Sequence, residues 1–144
     1  MLTREELAQR LKEMRLKITP QRLEVYAALS DPDRHPTAME IYEDVKLQMP
    51  TLSFATVYQA LNFFCRIGLV RMIDVGDGIM RYDVDTRPHA HIRCETCGRI
   101  FTLDWDYKKA FDDEVADKSG FLIYRHQTYF LGLCPDCQKA SPRQ

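Results

Sequence analysis

Apolar residues recur at helical spacing through the first half of the chain. Leu7, Leu11 and Met14 predict a helix over residues 3–15. Thr19-Pro20 then supplies an N-cap followed by proline at the first helical position, and Leu23, Val25, Tyr26 and Leu29 carry a second helix as far as the turn sequence Asp31-Pro32-Asp33. Thr37-Ala-Met-Glu40 matches a capping box, in which the threonine bonds the third amide and the glutamate reaches back, so a third helix runs to about Gln48 and ends at Met49-Pro50. Ser53 caps a fourth helix that closes before Gly68, a residue able to take the left-handed conformation.

The fourth helix is two-sided. At about 100° per residue, Val57, Ala60, Leu61 and Phe64 share one side while Ala55, Tyr58, Gln59, Asn62 and Arg66 share the other. Two capped helices in succession, the second with amides and a guanidinium outward, are the pattern of a helix-turn-helix. Amphipathic pairs also occur in helical interaction modules that never meet DNA, and that alternative stays open at this point. Leu69–Val75 and Ile79–Val84 flank Gly76-Asp77-Gly78, a hairpin signature with Arg71 and Arg81 on its two strands. Helices followed by such a hairpin predict a winged-helix domain over residues 1–84.

The period changes after Asp85-Thr-Arg-Pro88, a short polar segment ended by proline that reads as a hinge over residues 85–88. In residues 89–144, Ile100–Trp105 and Phe121–Leu133 read as strands and Tyr107–Lys118 as a helix stopped by Ser119-Gly120. The fold class is therefore α+β, a winged-helix domain followed by a smaller α/β dimerisation domain.

Cysteine usage supplies the first chemistry. Cys94 and Cys97 form one Cys-x-x-Cys pair and Cys134 and Cys137 a second, with residues 98–133 between them. Four thiolates close a tetrahedron around Zn2+ with no open position, so the predicted site is structural. Two thiol-disulfide switches are the competing reading. Cys65, between Phe64 and Arg66, reads as a packed thiol, which argues against a cysteine nucleophile and an enzyme.

A second donor set is harder. His89 and His91 stand two apart on a strand and so point to one face. His35 precedes the third helix and Asp83 ends the hairpin. Nitrogen and carboxylate donors suit Fe2+, Mn2+ or Zn2+, and if all four residues met on one ion it would set the angle between the two halves.

Composition excludes several classes. With 45% hydrophobic and 28% charged residues the chain is globular, and no apolar run approaches the roughly 20 residues of a membrane span. The N-terminus lacks a secretory pattern, so the expected location is the cytoplasm. A net charge of −1 argues against non-specific coating of nucleic acid, although Arg4, Arg10, Lys12, Arg15, Lys17 and Arg22 outnumber Glu5, Glu6 and Glu13 at the start of the chain.

From Leu11 to Cys137 the chain resembles the ferric uptake regulator family. The likeness is carried by Lys17-Ile-Thr-Pro-Gln-Arg22, His35-Pro-Thr-Ala38, Ala55-Thr-Val-Tyr58, His89-Ala-His-Ile-Arg-Cys-Glu-Thr-Cys-Gly98 and Cys134-Pro-Asp-Cys137. It implies a homodimeric repressor that binds an inverted-repeat operator in double-stranded DNA when loaded with metal. It implies DNA contacts from Lys17, Thr19, Arg22, Ser53, Ala55, Thr56, Tyr58, Gln59, Asn62 and Arg66, and a regulatory Fe2+ or Mn2+ on His35, Asp83, His89 and His91.

The iron-responsive members carry a further metal site, whose expected ligand positions hold Pro88, Ala90 and Lys109 here, leaving only His126. The chain is thus more similar to the peroxide-sensing branch, in which ferrous iron reacts with peroxide, a ligand histidine is oxidised and the DNA is released. A plain iron-responsive repressor of metal-uptake genes is the alternative. One position departs from both. The carboxylate that the resemblance implies five residues past the second zinc cysteine is Thr102, with Asp104 two further on as a candidate substitute.

Overall fold

The computed structural model describes residues 2–31, 33–87, 89–103, 110–124 and 126–140, in two compact units, Met1–Thr86 and Arg87–Gln144. The first unit opens with α1 (Arg4–Glu13), α2 (Pro20–Ala27), α3 (Ala38–Gln48) and α4 (Phe54–Arg66). Each begins where a side chain satisfies orphan amides. Thr3, Thr19, Thr37 and Ser53 accept from the third amide of their helices, and Glu6 and Glu40 complete capping boxes at α1 and α3.

Helix α1 stops two residues before its expected end. Arg15 takes the left-handed conformation at φ 56°, and the Leu16 amide reaches back to the Leu11 carbonyl at 2.9 Å. Met14 therefore leaves the apolar stripe and lies exposed. Gly68, at φ 76°, closes α4 in the same way. The buried stripes of the four helices meet through Leu7, Leu11, Val25, Leu29, Ile41, Val45, Val57, Leu61 and Phe64. Truncating one such side chain as large as Phe64 to alanine costs about 3–5 kcal/mol.

Strands β1 (Arg71–Ile73) and β2 (Arg81–Asp83) pair antiparallel, with Arg71 opposite Asp83 and Ile73 opposite Arg81. They are shorter than the hairpin pattern predicts. The Asp74 carboxylate accepts from the Gly76 amide and Asp77 from the Ile79 amide, so these local turns take up backbone donors that longer strands would use. Arg81 holds Asp77 through two bonds of 2.8 and 2.9 Å, which ties the tip to its own strand. The Tyr82 amide donates to the Pro36 carbonyl and anchors the hairpin to the start of α3.

The second unit contains β3 (Ala90–Cys94), β4 (Ile100–Leu103), α5 (Ala110–Ser119), β5 (Tyr129–Gly132) and α6 (Pro135–Ala140). The sheet order is β4-β3-β5, antiparallel on one side of β3 and parallel on the other. The long strand predicted over Phe121–Leu133 is confined to its end, Tyr129–Gly132. A parallel partner must be reached by a crossover, and the stretch after α5 serves as part of that return. Asp104, Trp105 and the predicted helix start at Tyr107 lie outside the described residues. Among the described residues no helix is long and apolar enough to cross a membrane.

Tyr82 is 2% exposed, and burial raises its phenol to about 12. The folded value lies above the ordinary value near 10, so the stabilisation is complete below about pH 10 and is lost as the pH rises through 12. Urea denaturation between pH 9 and 12 should show the first unit losing on the order of 2 kcal/mol. Tyr82→Phe should flatten most of that fall; an unchanged slope would place the titration elsewhere.

Candidate metal centres and DNA-reading face

The pairing of β3 with its two neighbours assembles the cysteine cluster. Cys94 ends β3, and the Gly98 amide donates back to its carbonyl at 2.9 Å, closing the first knuckle with Gly98 at φ 73°. The parallel register sets Cys94 opposite Gly132, two residues before Cys134. The Cys134 amide then donates to the Cys94 sulfur at 3.4 Å. As a result the sulfurs of Cys94, Cys97, Cys134 and Cys137 all lie within 4.8 Å of one another.

These sulfurs fit zinc. Zn–S bonds of about 2.3 Å in a tetrahedron put the sulfurs about 3.8 Å apart, and Cys97 and Cys134 are separated by 3.8 Å. Amides of Cys134 and Cys97 lower the Cys94 thiol to about 6. A hydrogen bond with Cys134 raises Cys137 to about 12. An ion that binds all four as thiolates must displace the protons they carry. Arg99, a residue the sequence pattern did not single out, donates from Nε to Cys97 and from Nη2 to Cys134, each at 3.5 Å.

The histidine and aspartate donors form two buried pairs, one in each unit. In the first unit, ligand atoms of His35 and Asp83 lie within 4.8 Å of one another. His35 is 3% exposed and sits at φ 46°, a left-handed conformation that costs a non-glycine residue energy and tends to persist at functional positions. The Asp83 carboxylate, wholly shielded from solvent, pairs with Arg71 Nε at 3.2 Å and accepts from the Asp85 amide at 2.8 Å. Arg71 was placed on its strand from the sequence, but its cross-strand aspartate partner follows only from the register.

In the second unit, Nε2 of His89 and Nε2 of His91 are 3.0 Å apart. Two nitrogens about 2.1 Å from one ion and at right angles would have this separation. His89 Nδ1 is 3.0 Å from the Arg87 carbonyl, an acceptor that puts the ring proton on Nδ1 and leaves the Nε2 lone pair for a metal. Imidazole and carboxylate donors of this kind fit Fe2+ or Mn2+. Thr102 lies directly across the sheet from His91 and offers no carboxylate, while Asp104 is outside the described residues.

On α4, Val57, Ala60, Leu61 and Phe64 are buried and Ala55, Tyr58, Gln59, Asn62 and Arg66 are exposed, the two sides the spacing predicts. Phe63 is buried as well, under the Arg22 guanidinium, which lies 3.6 Å from its ring centre and also donates to the Lys17 carbonyl. Thr19 and Ser53 spend their hydroxyls on the caps of α2 and α4, with the Thr56 hydroxyl 2.9 Å from that of Ser53. Lys17 is exposed. Cys65 is half-buried against the core and its thiol is pushed up by burial, as a packed cysteine would be.

Residues 13–131 match the model of the ferric uptake regulator family. The chain belongs to this family. The peroxide operon regulator of Bacillus subtilis (strain 168) is 35% identical to it over 134 residues, covering 93% of this chain and 92% of that protein. Among solved structures, the Campylobacter jejuni peroxide stress regulator aligns at TM-score 0.69 and 35% identity, over 92% of this chain and 99% of its own. The ferric uptake regulator of Helicobacter pylori aligns at TM-score 0.72 and 26% identity, over 93% of this chain and 90% of that one. These two peroxide regulators each share 35% identity with this chain, and that iron regulator 26%.

For this ferric uptake regulator family member, zinc on the four cysteines is worth on the order of 10 kcal/mol to the second unit. Cys134→Ser should bring zinc, measured by elemental analysis, from one per chain to near zero and abolish the cooperative melting of residues 87–144 while the helical signal of the first unit persists. A Cys134→Ser protein that retains zinc would remove this residue from the site.

Proposed function

We propose that this chain is a homodimeric, metal-dependent transcription repressor of the cytoplasm, most similar in action to peroxide regulators, with His35, Asp83, His89 and His91 as the ligands of one regulatory Fe2+ or Mn2+. The observation that carries the reading is the existence of two buried donor pairs on either side of the boundary at residues 86 and 87, each converged within its own unit. An ion taking all four would couple the two units. A dimer must set its reading helices about 34–36 Å apart, or at a multiple of one DNA turn, to engage both half-sites. Metal occupancy would then decide whether that spacing is held.

Operator reading belongs to the outer side of α4, where Tyr58, Gln59, Asn62 and Arg66 supply hydroxyl, amide and guanidinium groups able to address base edges. Ala55 lets the start of the helix approach closely. Lys17 and Arg22 sit by the approach to α2 and supply charge for phosphates, while Thr19, Ser53 and Thr56 hold the helix starts that present these groups. A second copy is supported by the apolar side chains of the second unit. Phe121, Leu122 and Tyr124 are 72%, 75% and 88% exposed, and Tyr129, Phe130 and Leu131 on β5 are also exposed. These two exposed apolar stretches support a surface for pairing with a second copy.

Ferrous iron, when bound, supplies the redox chemistry with peroxide. The protein's part is to hold and order the donors. Arg87 fixes the His89 tautomer through its carbonyl, and Arg71 with the Asp85 amide orients the Asp83 carboxylate. Addition of oxygen to a ligand imidazole would weaken it as a donor and free the units from one another. The threonine at position 102 favours a second reading, a repressor that responds to metal occupancy alone, because one anionic ligand fewer is available to tune the iron.

In a gel-shift assay on an inverted-repeat duplex, Mn2+ should tighten binding by about 5–150-fold, the usual range of such coupling. His89→Ala and His91→Ala should each abolish that enhancement while the dimer and the cysteine-bound zinc remain. Dissociation of the dimer instead would give these histidines a folding role. For the peroxide reading, mass spectrometry of iron-loaded protein after peroxide should find one added oxygen on a ligand histidine. Unmodified histidines with intact DNA binding would leave metal sensing alone.

A further inference from the structure

A peroxide-responsive protein that carries four zinc-bound thiolates faces a conflict, because each sulfur is itself a target of peroxide. The geometry points to Arg99 as the residue that restrains this reaction. Its guanidinium spans the two knuckles, donating from Nε to the sulfur of Cys97 and from Nη2 to that of Cys134, both at 3.5 Å. Two further contacts hold it there. Asp136 accepts from Nη2 at 2.5 Å, and the Phe101 ring centre lies 5.6 Å from the guanidinium carbon.

The direction of the effect follows from the metal. In a free cysteine a nearby cation raises reactivity by increasing the thiolate fraction. Zinc already makes all four sulfurs thiolates, so an added donor can act only on their intrinsic nucleophilicity, which falls as negative charge is drawn away. The step being slowed is attack of a thiolate on a peroxide oxygen. The S–O bond forms as the O–O bond breaks, and the departing hydroxide is protonated to water. A second thiolate then displaces hydroxide from the sulfenic sulfur, closing a disulfide; the two sulfurs have given two electrons to one peroxide and zinc is released. Arg99 is a positioning residue in this account: it touches the ligand atoms and neutralises part of the excess charge of a zinc tetrathiolate. A lysine could not copy it, because an ammonium lacks the planar fork that reaches both sulfurs.

The inference rests on zinc occupying the four-cysteine site. It is tested on the full chain loaded with zinc and Mn2+, without iron, by following zinc release to a chromogenic indicator after addition of hydrogen peroxide. Arg99→Ala should release zinc several-fold faster than the unsubstituted protein, because the half-exposed guanidinium no longer draws charge from two of the sulfurs. Arg99→Lys should fall between the two. Before peroxide, zinc content and Mn2+-dependent operator binding should be the same in all three, which a merely structural role for Arg99 would not allow. Release from Arg99→Ala within twofold of the unsubstituted rate overturns the inference. Should Arg99→Ala purify without zinc, Arg99→Lys carries the comparison, and an unsubstituted rate in that variant overturns it equally. Unsubstituted protein lacking zinc would overturn the zinc reading as well, whereas zinc-loaded proteins with equal rates overturn only the role of Arg99.

Discussion

Four sulfurs within 4.8 Å of one another form a cluster that apolar packing has no reason to build. As thiols they are weak hydrogen-bonding groups, and as thiolates they repel. A divalent cation at the centre reverses the sign of the interaction, since each thiolate then gains far more from the ion than it loses to its neighbours. The second unit is arranged around this requirement. Its central strand ends in one knuckle, its parallel neighbour leads directly into the other, and the Glu95 amide bonded to the Gly132 carbonyl fixes the two at the same level. With so many apolar side chains of this unit exposed in the single chain, metal ligation and pairing with a second copy carry stabilisation that a core supplies in the first unit.

The two kinds of donor separate two kinds of work. Soft thiolates in a closed tetrahedron hold structure and leave no position for a reacting molecule. Imidazoles and a carboxylate bind Fe2+ or Mn2+ more loosely and suit an ion whose occupancy is to vary. The local framework reflects this difference. Asp83 is buried as an anion and compensated by Arg71 across the strand pair, and His35 occupies a left-handed backbone position beside the turn into α3. Both arrangements cost energy unless something is gained at the site.

The first unit presents one side of α4 while neighbouring polar side chains are held by local bonds. Ser53 and Thr19 cap, Arg81 restrains the hairpin tip, and Arg22 lies across Phe63. Tyr58, Gln59, Asn62 and Arg66 are left facing outward on α4, with the Tyr58 ring stacked beside Phe54. Among the residues expected at DNA, Thr19 and Ser53 thus hold helix starts while these four face outward.

Helices and caps were readable in the chain because they depend on neighbours within four positions. Thr37 with Glu40, Ser53 before Phe54 and the alternation of Val57, Leu61 and Phe64 with Tyr58, Gln59 and Asn62 state the same structure at two levels. The cysteine set was legible for a chemical reason, since two Cys-x-x-Cys pairs admit few uses; strand alternation was expected to bring His89 and His91 to one face, and the two rings do meet, although β3 begins only at Ala90. Tertiary structure alone decided the rest. The parallel alignment of β3 and β5, the pairing of Arg71 with Asp83 and the reach of Arg99 to Cys134 join residues 12 to 38 apart in the chain, and the expected strand shortens to Tyr129–Gly132. Local propensity carries no information about such partners. They are fixed by which strands hydrogen-bond, in what register, and by the need of buried charge to find its counter-charge.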